Sequence, residues 1–483
     1  MKNVDKIKMK SEILATAFLG LAVRSIISLY SYSGFDSPPM HGDYEAQRHW
    51  QEITVNLGVG EWYTNSSSND LMYWGLDYPP LTAYHSYFLG RIGKAIDPRF
   101  VELHESRGFQ SEEHKRFMRA TVVAADVLIY LPAILFLVFS IDKTFQSNDC
   151  LFLFTLIATY PGQILIDNGH FQYNNISLGL AAVAVGAILR KRLYTASFFF
   201  TLALNYKQME LYHSLPFFAY LLGECVSQKS FTSFASQISR IAAVVLATFA
   251  ILWLPWLGSL QAALQVLHRL FPVARGVFED KVANVWCAVN VVWKLKKHLR
   301  NDQMALVCIG CTLIAALPTN VLLFRQRTKA GFLLALFNTA LAFFLFSFQV
   351  HEKTILLAAL PSLFLMKWWP KEMIIFLQVS LFSMLPLLTK DELLVPALVS
   401  TVTFHLIFKC FNSKAKLNNE YLLKYVANIS NILIICIVGA FLTIPAPSRF
   451  PDLWPLVISV ISCGHFLLFF LWGNFQQFTC KIS

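Results

Sequence analysis

The sequence of 483 residues is 56% hydrophobic and only 14% charged, and its mean hydropathy is +0.51. This balance excludes a soluble globular protein of the same length and is typical of a chain that crosses a membrane many times. A net charge of +11 would favour a nucleic-acid partner in a soluble protein. Here the basic residues cluster in short breaks between apolar runs, such as 190–192 and 325–329, so they indicate the orientation of membrane segments and predict no nucleic-acid binding.

The first apolar segment, residues 11–32, follows four lysines within the first ten residues. It is long enough to cross a hydrocarbon core of about 30 Å. It lacks a polar cleavage region of small residues, so we expect an uncleaved signal anchor with a cytosolic N-terminus. Together with the later runs it predicts an all-α polytopic membrane protein with about fourteen transmembrane helices. The runs centre near residues 22, 129, 158, 182, 200, 218, 248, 313, 340, 360, 380, 401, 433 and 463.

Two connections between the apolar runs are long, residues 35–116 and 258–302. In the first, residues 44–57 and 80–96 place apolar groups at helical spacing beside charged ones, which predicts helices lying on the membrane surface. A folded polar loop is the alternative. In the second, residues 282–295 resemble a further span, but we expect them not to cross, because about 14 residues fall short of the roughly 20 needed.

The first long connection concentrates acidic, basic and aromatic residues in two short stretches. Residues 41–50, HGDYEAQRHW, hold Asp43, Glu45, Arg48 and His49. Residues 74–80, WGLDYPP, set Asp77 between Trp74 and Tyr78 on a backbone that two prolines stiffen. Transfer of a sugar onto a hydroxyl needs one carboxylate to take the hydroxyl proton, and both Asp43 and Asp77 suit that role. A single acid in a loop is also commonly just solvated, so spacing alone leaves the role open.

A second group of ionisable residues, His351, Glu352 and Lys353, interrupts an apolar sequence at a predicted membrane boundary. Ionised groups at such depth cost a few kcal/mol and usually line a polar cavity or pair with each other. A lysine and a histidine there suit a phosphate whose negative charge grows as it leaves. The alternative is a lysine that reaches to the interface beside a local ion pair.

Three further polar stretches lie beside apolar runs. They are residues 271–287 with Arg275, Glu279, Asp280 and Lys281, residues 166–174 with Asp167, His170 and Gln172, and residues 205–213 with Lys207 and Glu210. We expect one polar pocket assembled from the ends of several membrane segments. Arg119 and Asp126, seven residues apart within an apparent span, are predicted to share a helix face and form a structural ion pair.

Six long motifs together resemble the eukaryotic endoplasmic-reticulum glucosyltransferases that use dolichyl-phosphate-glucose, a family with the GT-C fold. They are HGDYEAQRHWQEIT (41–54), YWGLDYPPLTAYHSY (73–87), IDNGHFQYNNISLGL (166–180), NYKQMELYHSLPFF (205–218), FPVARGVFEDKVANVWC (271–287) and FQVHEKTILL (348–357). Within the family the chain is most similar to the α-1,3-glucosyltransferases that add the first glucose to the nine-mannose oligosaccharide on dolichyl diphosphate. The sister enzymes that add the second glucose are the alternative, but the motifs at 205–213 and 274–287 would not be expected in them.

The resemblance implies an inverting transfer, because a β-linked glucosyl phosphate becomes an α-linked product in a single displacement. It implies Asp43 as the general base toward a mannose 3-hydroxyl, and His351 and Lys353, beside Glu352, at the donor phosphate. The first long connection has no DxD motif, so no metal and no cofactor is expected. The substrate-binding residues that it implies are Glu45, Arg48, His49, Trp74, Asp77, Tyr78, His170, Lys207, Arg275, Glu279, Asp280 and Lys281.

The partners implied by the resemblance are dolichyl-phosphate-glucose as donor, a dolichyl-diphosphate-linked oligosaccharide as acceptor, and the lipid bilayer. It implies a multi-pass protein of the endoplasmic-reticulum membrane with a luminal active site and cytosolic termini. We expect residues 1–257 to form a catalytic module and residues 258–483 a membrane module with the donor-phosphate site. Two other classes stay open: a transporter, which should show two similar halves that we do not see, and a non-catalytic scaffold, which would keep its function without Asp43.

Overall fold

The computed structural model describes residues 2–141, 147–271, 281–412 and 421–479, and within these ranges it contains helices and no strands. The predicted all-α architecture is thereby confirmed. The chain folds into two compact units. The first comprises Met1–Ser214, Tyr220–Ala274 and Lys390–Pro396, and the second comprises Leu215–Ala219, Arg275–Thr389 and Ala397–Ser483.

The first unit contains the long polar connection, and two helices form within it where the apolar spacing predicts them. Its helices are α1 (Lys2–Ile27), α2 (Asp43–Asn56), α3 (Pro80–Ile96), α4 (Glu112–Ala125), α5 (Leu131–Ile141), α6 (Ser147–Ala158), α7 (Pro161–Ile164), α8 (Asn174–Leu189), α9 (Leu193–Tyr206), most of α10 (Ser214–Val226), α11 (Phe231–Trp253) and α12 (Leu260–Leu270). A π-helical turn, Asp126–Tyr130, joins α4 to α5, and a second one, Leu165–Phe171, follows α7.

The second unit is built mainly from apolar helices. They are α13 (Val285–Val292), α14 (Asn301–Arg325), α15 (Lys329–Phe346), α16 (Leu356–Leu365), α17 (Pro370–Ser383), α18 (Leu385–Lys390), α19 (Leu394–Asn412), α20 (Tyr421–Thr443) and α21 (Leu453–Thr479). The turn between α18 and α19 belongs to the first unit. Because α13 has only 8 residues, its length of about 12 Å is too short to cross a bilayer as a helix.

Membrane crossing is supported by seven helical segments of the described ranges that are long and apolar enough to span a bilayer. They are Glu112–Ile141, Asp149–Phe171, Phe231–Trp256, Asn301–Arg325, Lys329–Phe346, Leu394–Phe411 and Leu453–Thr479. Each of the fourteen centres predicted from the sequence falls within a helix. The polytopic membrane architecture is confirmed, and the count of fourteen crossings stays a prediction.

Helix α2 is packed within the first unit, with every residue from Tyr44 to Thr54 buried. On one side Trp50 and Ile53 belong to an aromatic cluster, and on another Tyr44 belongs to a second cluster with Phe171. The aromatic cluster also contains Trp62, Tyr63, Leu76, Trp253 and Trp256. Helix α3, by contrast, exposes apolar side chains such as Phe88 and Ile96. A helix that lies on a membrane needs an exposed apolar face. Of the two predicted surface helices, α3 has such a face and α2 is buried.

The predicted ion pair between Arg119 and Asp126 is wrong. Arg24 of α1 pairs with Asp126, with 3.1 Å between Nε and Oδ1 and both side chains fully buried. Arg119 instead donates to the backbone carbonyl oxygens of Asn168 and Gly169, at 2.6 and 2.7 Å. Spacing along one helix identifies residues that share a face, but it does not reveal partners that other helices supply.

Candidate active site

Asp43 is the first residue of α2, directly after the N-cap residue Gly42. A carboxylate at this position is stabilised by the positive end of the helix dipole. The backbone N–H of Asp43 donates to Ser33 Oγ at 3.2 Å. A Cβ atom on Gly42 would lie 2.5 Å from Ser33 Oγ, so only glycine permits the chain at Ser33 to approach the start of α2 this closely.

The Asp43 carboxylate is oriented by the segment that follows α7. His170 Nε2 lies 2.9 Å from Asp43 Oδ2, and Gln172 Nε2 donates to the same oxygen at 2.5 Å. On its other side, His170 Nδ1 lies 2.5 Å from Asp391 Oδ2. Asp43 is 21% exposed, whereas His170 is 2% and Asp391 3% exposed. The Asp43–His170–Asp391 chain therefore runs from an accessible carboxylate to a buried one.

The backbone around His170 is held from several directions. The N–H of Ser33 donates to the carbonyl oxygen of His170 at 3.0 Å, while Arg119 binds the two carbonyls that precede it. The buried carboxylate of Asp167 accepts backbone N–H bonds from the start of α8, the shorter of them 2.7 Å long. These bonds fix the position of the imidazole ring relative to α2.

A reversal of the backbone after His170 brings a second donor to Asp43. Phe171 has φ of +91°, in the left-handed region that a bulky residue rarely adopts and that is often found at functional sites. Gln172 is extended, so its amide and the ring of His170 both reach Asp43. The Phe171 ring packs against Tyr44, with 4.8 Å between ring centroids.

Three predicted substrate-binding residues, Glu45, Arg48 and His49, lie in an ionic cluster within α2. Arg48 pairs with Glu45 at 2.6 Å and with Glu52 at 2.8 Å, and His49 Nδ1 lies 3.1 Å from Glu52. Burial would raise the pKa of Glu52, but the hydrogen bond from His49 and the charge of Arg48 outweigh it and lower that pKa to about 2. The cluster holds α2 in place, and contact of these residues with substrate stays a prediction.

Hydrogen bonds to its backbone hold the loop that carries Trp74, Asp77 and Tyr78. The carbonyl oxygen of Trp74 accepts from Trp50 Nε1, and that of Asp77 accepts from the amide of Gln208, both at 2.9 Å. Lys207 Nζ lies 5.0 Å from the centre of the Tyr78 ring. The structure thus brings the predicted residues Tyr78 and Lys207 together at the end of α9.

A small, nearly closed depression lies next to Gln172. Its lining residues are Gln47, Tyr78, Thr82, Gln172, Tyr173, Tyr206 and Lys207. Gln172 connects this depression to the predicted base, because its amide also donates to Asp43. Aromatic rings cover the apolar faces of sugars, and amide and ammonium groups bind their hydroxyls, so these residue types are suited to contact a sugar.

The predicted donor-phosphate residues belong to the second unit. Glu352–Ile355 form a 3₁₀ turn, and the N–H of Thr354 donates to the carbonyl oxygen of His351 at 3.1 Å. His351 is exposed, and Glu352 and Lys353 are half-buried. All three side chains are therefore accessible to a ligand at the surface of this unit.

The polar stretch 271–287 is described only in part. Lys281 forms an ion pair with Asp452, with 3.0 Å between Nζ and Oδ2 and side chains that are 42% and 63% exposed. A pair this exposed contributes little to stability. Arg275, Glu279 and Asp280 lie outside the described residues.

Sequence reasoning missed Asp391 and the role of Gln172. Asp391 lies in the turn between α18 and α19, 221 residues away from His170 along the chain. The available signal was an acidic residue at the boundary of an apolar run, which is often functional. His170 was predicted to bind substrate, and the structure places it against the predicted base.

Comparison with known proteins shows similarity over nearly the whole chain. The sequence profile of the ALG6, ALG8 glycosyltransferase family matches residues 18–472. A Drosophila melanogaster protein described as a probable dolichyl pyrophosphate Man9GlcNAc2 alpha-1,3-glucosyltransferase is 82% identical over 475 residues, which cover 98% of this chain and 100% of the relative. The Mus musculus dolichyl pyrophosphate Man9GlcNAc2 alpha-1,3-glucosyltransferase is 46% identical, with 94% of each chain covered. A probable enzyme of the same description from Arabidopsis thaliana is 38% identical, over 96% of this chain and 89% of its own.

Proposed function

We propose that this chain, which belongs to the ALG6, ALG8 glycosyltransferase family, transfers glucose from dolichyl-phosphate-glucose to Man9GlcNAc2 on dolichyl diphosphate, forming an α-1,3 bond. The observation that carries the proposal is the carboxylate of Asp43, partly exposed at the start of α2 and oriented by His170 and Gln172. The descriptions of relatives at 82% and 46% identity support the acceptor and the linkage.

Asp43 acts as the general base in this reaction. As the mannose 3-hydroxyl oxygen bonds to the anomeric carbon of glucose, Asp43 takes the hydroxyl proton. The bond between that carbon and the phosphate oxygen breaks, and its electron pair leaves with dolichyl phosphate. Attack opposite the leaving group turns a β-linked donor into an α-linked product. Phosphate leaves readily without an acid, so one carboxylate is enough.

Other residues bind the two substrates. Tyr78 and Lys207 contact a sugar beside Asp43, and Asp77 positions the acceptor. His351 and Lys353 hold the donor phosphate through charge-assisted hydrogen bonds. The reaction takes place on the luminal side of the endoplasmic-reticulum membrane, and both termini lie in the cytosol.

Purified protein supplied with radiolabelled dolichyl-phosphate-glucose tests the proposal. Two acceptors are compared, Man9GlcNAc2 on dolichyl diphosphate and the same lipid already carrying one glucose. We expect label on the first acceptor only, released by a glucosidase specific for α-linkages. Label on the second acceptor alone would indicate the sister reaction, and no transfer from the lipid donor would refute the proposed activity.

A further inference from the structure

We propose that His170 and Asp391 are positioning residues that orient the Asp43 carboxylate for proton transfer, an inference that rests on the proposed function. His170 bridges the two carboxylates, with 2.9 Å from Nε2 to Asp43 and 2.5 Å from Nδ1 to Asp391. At 2% and 3% exposure, the ring and the second carboxylate offer almost no surface to a substrate. Asp391 is therefore linked to the reaction through the imidazole ring.

An imidazole between two carboxylates imposes a condition on its protons. A neutral ring carries one N–H, so both contacts of His170 are hydrogen bonds only if a second proton sits on the ring or on one of the two carboxylates. Asp43 must be ionised to act as a base, which leaves the ring or Asp391 for that proton. In both of these placements Nε2 carries a proton and donates its hydrogen bond to Asp43. Without Asp391 the ring loses the short contact at Nδ1 that fixes its orientation, so the hydrogen bond from Nε2 holds the Asp43 carboxylate less firmly.

The backbone keeps these side chains in place independently of their mutual contacts. Ser33 links the backbones of Asp43 and His170, because its N–H donates to the His170 carbonyl and its Oγ accepts from the Asp43 N–H. Near Asp391, Leu393 packs against Gly169, where a Cβ would lie 2.9 Å from the leucine Cδ1. Asp391→Leu therefore removes the partner of the ring while leaving these surrounding contacts in place.

The first test compares Asp391→Leu with the wild type and with Glu392→Gln, a matched control at the exposed neighbouring residue. In the glucosyl-transfer assay we expect Asp391→Leu to lower kcat about tenfold or more and to leave both KM values within about threefold. The control should match the wild type. A kcat for Asp391→Leu within about threefold of the wild type overturns the proposal.

The second test asks whether Asp391 acts through Asp43. In an Asp43→Asn background the base is absent, so adding Asp391→Leu should lower the residual rate less than about twofold. A purely structural role predicts the same loss in both backgrounds. A further loss of about tenfold in the double variant would therefore contradict the positioning role.

Two substitutions of His170, His170→Gln and His170→Asn, test the proposal if Asp391→Leu does not fold. The amide nitrogen of glutamine takes the place of imidazole Nε2, and that of asparagine takes the place of Nδ1. We expect His170→Gln, which keeps a donor to Asp43, to have a kcat at least about fivefold above that of His170→Asn. Equal rates would overturn the proposal, whereas wild-type protein that transfers no glucose would refute the proposed function itself.

Discussion

Replacing Asp43 by asparagine removes the proposed base and changes little else in the site. The amide oxygen of asparagine can accept the hydrogen bonds that His170 and Gln172 now donate to Asp43 Oδ2. The backbone bond to Ser33 does not depend on the side chain. The variant should therefore fold, bind the donor and lose turnover.

Two energies show whether Asp43→Asn should change mainly the stability or mainly the rate. Loss of a negative charge at the start of a helix costs about 0.3–1 kcal/mol of stability. Loss of a general base slows a reaction about 10²- to 10⁴-fold, which corresponds to about 3–5 kcal/mol in the activation barrier. The change in kcat should thus far exceed any change in unfolding free energy.

The assay is glucosyl transfer by purified Asp43→Asn, with the donor and the acceptor varied separately. Asp36→Asn is the matched control, because Asp36 is an exposed acid in the same polar connection. We expect a normal rate for the control and a KM for the donor that is unchanged in Asp43→Asn. Transfer by Asp43→Asn within about tenfold of the wild type would refute its assignment as the base.

Four further predictions concern the donor site, the ionic cluster and the polar loop. His351→Ala and Lys353→Ala should raise the KM for the donor more than that for the acceptor, because a charge-assisted bond to phosphate is lost; steady-state kinetics in which only the acceptor KM changes would contradict this. Arg48→Met should lower the thermal unfolding midpoint, since stranding a buried carboxylate costs about 3–5 kcal/mol. The pKa of Glu52 is lowered to about 2. The ionised side chain therefore contributes its full stabilisation above the unfolded pKa of about 4.3 and progressively less as pH falls toward 2. The free energy of unfolding measured over that range should decline less in Glu52→Gln. Exposed Asn65 begins an Asn-Ser-Ser sequon, and we expect a glycan there, seen as a gel shift on deglycosylation that Asn65→Gln abolishes; an unshifted wild-type band would contradict it.

The helices of the polar connection could be predicted from the sequence because their signal is local. Residues 44–57 and 80–96 are predicted as helices, and the structure has Asp43–Asn56 and Pro80–Ile96. The ionic cluster also carries a local signal, since Glu45, Arg48 and Glu52 are spaced by three and four residues along one helix. That spacing favours pairing within the helix, and it should have weighed against direct substrate contact.

The partners of the proposed base could be predicted only in part, because they come from distant parts of the chain. Asp43 and His170 are 127 residues apart, and His170 and Asp391 are 221 apart. Asp391 is an acidic residue at the boundary of an apolar run, which marks it as a candidate, but the sequence does not reveal that it is buried against His170. Arg119 shows the same limit, since its partners are backbone carbonyls, which carry no side-chain signature.

A single carboxylate handles the proton in the proposed reaction, so its orientation bears directly on the rate, and small misplacements are costly. Two devices control that orientation. The buried pairs of Arg48 with Glu45 and Glu52 fix α2 and thereby the backbone of Asp43, its first residue. The Asp43–His170–Asp391 chain fixes the rotation of the carboxylate itself. Because the ionic cluster acts on the backbone and the Asp43–His170–Asp391 chain on the side chain, substitutions in the cluster should lower stability and kcat together. Substitutions in the chain should lower kcat with only a small change in stability.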